Sequence, residues 1–157
     1  MDIGSGNSYP SSALSNFAPH PFVIDGIECN SMEGFLQSLK FANPDVQREV
    51  CKLVGRAAKF KGQKRNKQWR KTQTLYWCGK AYKRDSIEYQ QLLDRAYEAL
   101  SKNSGFRKAL LASCGSNLTH SIGKHDRSET VLTEGEFITR LNKIRIKIKE
   151  GEKCKND

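Results

Sequence analysis

The segment from Asp85 to Leu100 constrains the fold most. Tyr89, Leu92, Leu93, Ala96, Tyr97 and Leu100 recur at helical spacing, which places all six on one face of an amphipathic helix that needs a core to meet. Asp85 with Glu88 three residues on reads as a capping box opening it. A second box, Thr133-x-x-Glu136, opens the last helix, where Phe137, Leu141, Ile144 and Ile148 continue as one apolar stripe. The 157 residues supply one ordinary domain with its own core and not two comfortable ones.

Shorter elements fill the chain before that helix. Pro21 to Cys29 is two β-leaning runs around Asp25-Gly26, a strong short-range hairpin signal, and Thr74 to Tyr82 predicts a second β pair turning at Gly79. Between them Asn30 is positioned to cap a helix that buries Met32, Phe35, Leu36 and Leu39, while Glu33, Gln37 and Lys40 align on a second stripe. Asn43-Pro44 starts another helix, with Val46, Val50 and Leu53 facing inward and Gly55 closing it. A short helical piece around Ala57 and Ala58 and a polar loop at 61–67 follow. Phe106, Ala109, Leu110 and Ser113 outline a helix ended by Gly115, and residues 118–129 have no period. The expected fold is α+β, a single mainly helical domain with short β-hairpins: residues 1–14 flexible, 15–149 the folded domain, 150–157 a frayed basic tail.

No apolar stretch approaches the roughly 18 residues of a membrane span. The first residues, Met1 to Gly6, carry an acid where a secretory signal carries positive charge, so a reducing, cytoplasmic setting is expected. Five scattered cysteines form no C-x-x-C pair, and His20, His120 and His125 lack metal-ligand spacing, so neither a disulfide framework, a metal nor a cofactor is expected.

Charge carries more information. Twenty-seven Lys and Arg against 17 Asp and Glu give +10, which favours an anionic partner. Between Val50 and Arg84 there is no acid and there are twelve cations, interleaved with Phe60, Trp69, Tyr76, Trp77 and Tyr82. Such a stretch, spanning 52–84, can hold phosphates by charge and a base by stacking, or it can simply be a solvated face with core aromatics.

Three blocks, Ser15-Asn16-Phe17, Pro21 to Gly26 with its Asp-Gly turn, and Ser31-x-Glu33-x-x-x-Gln37-x-x-Lys40-Phe41, together resemble the signature of the NADAR (YbiA-like) family. The resemblance continues through Gly55-Arg56-x-x-Lys59, Lys67-Gln68-Trp69 and Leu118-Thr-His120-Ser, covering roughly residues 7–145. This chain has Gly34-Phe35 where many members carry His-Tyr, and Gly123-Lys-His-Asp126 where many have a Trp-Gly-Asp-Gly-like stretch. The resemblance implies a YbiA-like fold and hydrolysis of an N-glycosidic bond between a ribose and a base. Removal of ADP-ribose from guanine in DNA is the leading expectation. Cleavage of ribosylamino intermediates of riboflavin synthesis is the metabolic alternative, and a non-catalytic ADP-ribose or nucleic-acid binding module is the alternative of another class.

That chemistry passes through an oxocarbenium-like state, so a carboxylate must stabilise the sugar cation and activate water. The family match assigns this to Glu33, although Asn30-x-x-Glu33 is equally a capping-box pattern. Asp126, flanked by Lys124, His125 and Arg127, is the expected second carboxylate. Gln37 and Lys40 would orient substrate, Arg56 and Lys59 would straddle a pyrophosphate, and Ser15, Asn16 and Phe17 would line the sugar side. Trp69 would stack on the leaving base unless it is a core residue, His120 is placed to exchange a proton near neutral pH, and Trp77 is assigned to packing.

Overall fold

The computed structural model describes residues 1–156, with side chains through Gly151. Helix α6, Ile87–Leu100, buries all six members of its predicted stripe, from Tyr89 to Leu100. It packs against α8, Glu134–Asn156, which buries Phe137, Leu141, Ile144 and Ile148. The Thr133/Glu136 box closes as expected: Thr133 N–H donates to Glu136 Oε1 at 2.8 Å and Glu136 N–H to Thr133 Oγ1 at 3.1 Å. The box expected at Asp85 shifts by one residue, because Ser86 is the extended residue whose Oγ accepts Tyr89 N–H at 3.1 Å.

Two antiparallel hairpins stand apart as separate two-stranded sheets. Strands β1 (Phe22–Ile24) and β2 (Ile27–Cys29) pair Phe22 with Cys29 and Ile24 with Ile27, and β3 (Thr74–Trp77) and β4 (Lys80–Lys83) pair Thr74 with Lys83 and Trp77 with Lys80. Each turn has positive φ at both central residues, 51° and 75° at Asp25-Gly26, 51° and 81° at Cys78-Gly79, the backbone twist that a two-residue hairpin loop requires. The α+β, mainly helical architecture is therefore the one expected.

Helix α2, Met32–Ser38, runs through the middle of the domain, and every residue from Ser31 to Lys40 is buried. Its cap is Ser31, whose Oγ accepts Gly34 N–H at 3.0 Å, and not Asn30, whose Nδ2 donates to the Lys52 carbonyl at 2.9 Å. Gly34 lets α2 come against the end of α3 (Pro44–Cys51): a Cβ there would fall 2.6 Å from the Leu53 carbonyl oxygen. On α3 the inward residues are Gln47, Val50 and Cys51, with Val46 only half-buried. Gln47 earns its burial by donating to the carbonyls of Ser38 and Tyr76 at 3.1 and 2.7 Å.

Three further expectations change. Gly55, at φ 57°, opens α4 (Gly55–Gln63) where it was expected to close the preceding helix, and the polar loop expected at 61–67 is taken up by α4 and by α5, Asn66–Thr72. Residues 1–14 are tied down rather than loose. Ile3 and Leu14 are 1% exposed, α1 (Ser11–Leu14) packs on α7 (Ser104–Ala112), and Asp2 bridges Thr119. The tail expected to fray at 150–157 lies largely outside the described side chains, although the α8 backbone continues to Asn156.

Candidate active site

A cleft of about 630 Å³ opens between one face of α2, the α4–α5 pair and the loop that follows His120. That volume is in the range of small-molecule sites. Glu33, Gln37 and Lys40 form its floor, at 9%, 7% and 6% exposure. The helical stripe read from the sequence is therefore buried like the apolar one, and polar groups in such a position must find partners in each other or in a ligand.

Glu33 does not serve as a cap. The Asn30 N–H donates to the Cys51 carbonyl at 2.9 Å, which removes the bond a capping box would return to Glu33. Its carboxylate instead accepts from Gln37 Nε2 at 2.7 Å, and its own N–H donates to the Asn16 carbonyl at 2.9 Å. Burial raises the Glu33 carboxyl above the usual range, opposed by the Gln37 bond and the charges of Lys40, Lys59 and His120. Lys40 donates to Asn66 Oδ1 at 2.6 Å. Burial lowers its ammonium to about 8, with Glu33 pulling it up and Arg70, Lys124 and Lys59 pushing it down. A buried acid and a buried base thus face one cleft with their ionisations drawn toward neutrality, which is how acid–base sites are tuned.

Gln37 fits because of Gly62. A Cβ at Gly62 would lie 1.7 Å from Gln37 Oε1, so the absence of a side chain on α4 makes room for the amide that holds Glu33.

The walls contain the other expected residues. Ser15, Asn16, Phe17, Arg56, Lys59, Trp69 and His120 all line the cleft. Asn16 Oδ1 accepts from Tyr97 Oη at 2.8 Å, which leaves its amide Nδ2 as the donor available to a ligand. His120 Nδ1 meets the Ile3 carbonyl at 2.8 Å. A carbonyl only accepts, so Nδ1 carries the hydrogen and Nε2 is the ring atom left to exchange a proton. Trp69 is 2% exposed and, among the described residues, its Nε1 has no hydrogen-bond partner, so it walls the cleft as a buried core residue, a correction to its expected stacking role. Trp77 is packing, as expected: it meets Phe35 edge-on at 5.0 Å and donates Nε1 to Asp25 Oδ2 at 2.8 Å.

Asp126 is not part of the site. It is exposed, does not line the cleft, and its Oδ1 accepts from Ser128 N–H and Oγ at 2.9 and 2.8 Å. Those bonds hold its carboxyl below the usual range. The aspartate opens a local turn, its carbonyl accepting Glu129 N–H at 3.0 Å, so the second-carboxylate expectation fails.

The bacteriophage protein GP30.3 family matches residues 8–146. The chain belongs to that family. A 17.1 kDa protein from the Gp30–rIII intergenic region of Enterobacteria phage T4 is 43% identical over 150 residues, covering 92% of this chain and 96% of that protein. The NMR structure of E. coli YbiA superposes with a TM-score of 0.59 at 16% identity, over 97% of this chain and 86% of that one. The YbiA-like fold expected from the Glu33/Gln37/Lys40 block is thus the fold observed.

This GP30.3-family chain adds cleft residues that sequence reasoning passed over. Asn66 holds Lys40. Arg70 donates to the Glu129 carbonyl at 3.0 and 3.2 Å and ties α5 to the loop opposite. Lys124 adds a fifth cation to Lys40, Arg56, Lys59 and Arg70 in the cleft lining. Asn66 and Arg70 lay inside the noted basic run, but only the docking of α5 distinguishes them from its solvated members. Conversely Arg84, counted in that run, is internal: at 1% exposure it forks onto Glu136 at 2.6 and 3.2 Å. Among the described residues no helix is long and apolar enough to cross a membrane.

Proposed function

We propose that this protein is an N-glycosidase that hydrolyses a ribose–base bond, with ADP-ribose carried on guanine in DNA as the substrate. The observation that carries the reading is Glu33: a buried carboxylate on the floor of a cation-walled cleft, held by the Gln37 amide while the backbone N–H of the same residue is tied to the Asn16 carbonyl, and released from any capping duty. Five cations against Glu33 and Glu129 give the cleft a positive balance suited to a pyrophosphate.

In this mechanism ionised Glu33 accepts a proton from water while the water oxygen bonds to ribose C1′. The electron pair of the C1′–N bond passes to the base nitrogen, and that nitrogen takes up a proton. His120 in its imidazolium form, keeping Nδ1–H on the Ile3 carbonyl, delivers it from Nε2 and becomes neutral, and the proton gained by Glu33 restores the imidazolium through water. The products are free ADP-ribose and unmodified guanine, with one water consumed. The Glu33 charge stabilises the oxocarbenium-like state as it forms, an interaction stronger in the transition state than in the ground state. Arg56 and Lys59, one turn apart on α4, would bind the phosphates, and Asn16 the sugar hydroxyls.

The test is to incubate the protein with an oligonucleotide carrying ADP-ribosylated guanine and, separately, with a ribosylamino pyrimidine, and to follow both by mass spectrometry. Release of ADP-ribose from the oligonucleotide is expected. Turnover of the pyrimidine alone would reassign the site to flavin-precursor metabolism, and tight binding of ADP-ribose with neither turnover would make the protein a binding module.

A further inference from the structure

Helix α4 carries two adjoining exposed stripes. Arg56, Lys59 and Gln63 face the cleft while Ala58 and Gly62 pack inward. At about 100° per residue, Phe60 comes only about 40° round from Arg56, on the solvent side of the cleft mouth. Phe60 is 64% exposed, and Lys64 Nζ sits 5.1 Å from its ring centroid. Beyond it the face presents Lys61 and Lys64, and no acid lies between Val50 and Arg84 to repel an anion.

We propose that Phe60 is a stacking platform for single-stranded nucleic acid, taking the base next to the one that enters the cleft, with the flanking phosphates on Arg56 and Lys64. A phenyl ring held out in water beside cations offers a polynucleotide both things it has to give, a π face and a charge. The strand is single because a base can stack on Phe60 only with a free face, and because Glu33, at 9% exposure, lies too deep for a nucleotide still in a duplex. The assignment rests on the glycosidase reading for which base enters the cleft, whereas the binding it requires can be measured without turnover.

The experiment uses fluorescence anisotropy with an unmodified single-stranded DNA of about ten nucleotides, the same sequence as a duplex, and inorganic polyphosphate as a polyanion without bases. Phe60→Ser is expected to weaken single-strand binding about 5- to 150-fold, and Phe60→Trp to hold or improve it. Polyphosphate affinity should be the same in all three proteins, and the duplex should bind more weakly than the single strand. Single-strand binding by Phe60→Ser within about twofold of the parent, an equal loss toward polyphosphate, or duplex binding as tight as single-strand binding would each overturn the platform. If the oligonucleotide binds as described and its ADP-ribosylated form is never cleaved, the glycosidase reading fails and the platform stands.

Discussion

Gln37 Nε2 donates to Glu33 Oε1 at 2.7 Å across one turn of α2, and the same amide occupies the space that Gly62 leaves open on α4. Two helices are thereby matched at the one point where a carboxylate has to be oriented. The Glu33→Gln variant keeps the volume and removes the charge. Turnover should fall on the order of 100-fold or more. Because burial raises the Glu33 carboxyl, its ionised form costs stability as pH rises through that raised value. The variant should therefore melt no earlier than the parent at pH 8, and calorimetry beside the rate assay would show activity and stability moving apart.

Gly62→Ala should lose activity through Gln37. A Cβ 1.7 Å from Oε1 must displace the amide and free Glu33. In a Gln37→Ala background no amide is left to displace, and only the residue-37 Cβ, 3.0 Å away, still faces the substitution. A double-mutant cycle on kcat/KM should show that the two losses do not add, whereas independent effects would add to within about 0.5 kcal/mol.

The pH dependence of kcat/KM should be bell-shaped. Its acid limb, set by Glu33, should lie above the ordinary carboxylate value of 4.5. Its alkaline limb should fall near the Lys40 value of about 8, as the ammonium that faces Glu33 loses its proton. Lys40→Arg keeps the charge at high pH, so when both are compared in a His120→Asn background, where no imidazole is left to act as proton donor, the Lys40→Arg profile should lose the fall near 8 even where the rate itself is lower.

Asp2 should matter although it lies outside the cleft. Its carboxylate accepts from Ser121 N–H at 2.8 Å and from the Ser121 and Thr119 hydroxyls, while the neighbouring Ile3 carbonyl fixes His120 Nδ1. Asp2→Ala should loosen the loop that brings His120 and Lys124 to the site and lower kcat on the order of tenfold. Asp2→Asn retains an acceptor and should recover most of that rate.

Glu136→Gln tests the core. Burial alone would raise the Glu136 carboxyl, but bonds from Arg84, Thr133 N–H and Gln90 outweigh it and bring it to about 2. A depressed carboxylate contributes stability above its ordinary value of 4.5 that is lost as pH falls toward about 2. The variant leaves Arg84 buried without its anion, so urea denaturation at pH 7 should show a loss of about 3 kcal/mol that shrinks through that acid window.

Local chemistry made the two hairpins and the α6 and α8 stripes legible. Asp25-Gly26 needs positive φ at two adjacent residues whatever surrounds it, and an apolar stripe of Leu, Ile and aromatics signals its own burial. Helices α4 and α5 left little trace because their contacts are small or single. α4 buries Ala58 and Gly62 and α5 buries Trp69, so neither has a stripe that stands out from the lysines around it. Asp126 and Glu129 shared one aperiodic loop, and only the path of that loop put Glu129 against the cleft and Asp126 in solvent.

The sequence by itself determined that Glu33 and Gln37 share a stripe, because i and i+4 share a face on any helix, with Lys40 following two residues past the end of α2. It also determined the positive charge around them and the resemblance that pointed to a YbiA-like fold. Tertiary structure decided what that face meets. It passed the cap of α2 from Asn30 to Ser31, brought the Asn16 carbonyl to the Glu33 N–H, set Gly62 against Gln37, and drew Ile3 from the other end of the chain onto His120. The cap moves because Asn30 is engaged by the distant Cys51 and Lys52 carbonyls, and the other three are contacts between residues far apart in sequence. No local preference encodes such contacts, since each forms only when the elements carrying both partners have packed around a common core.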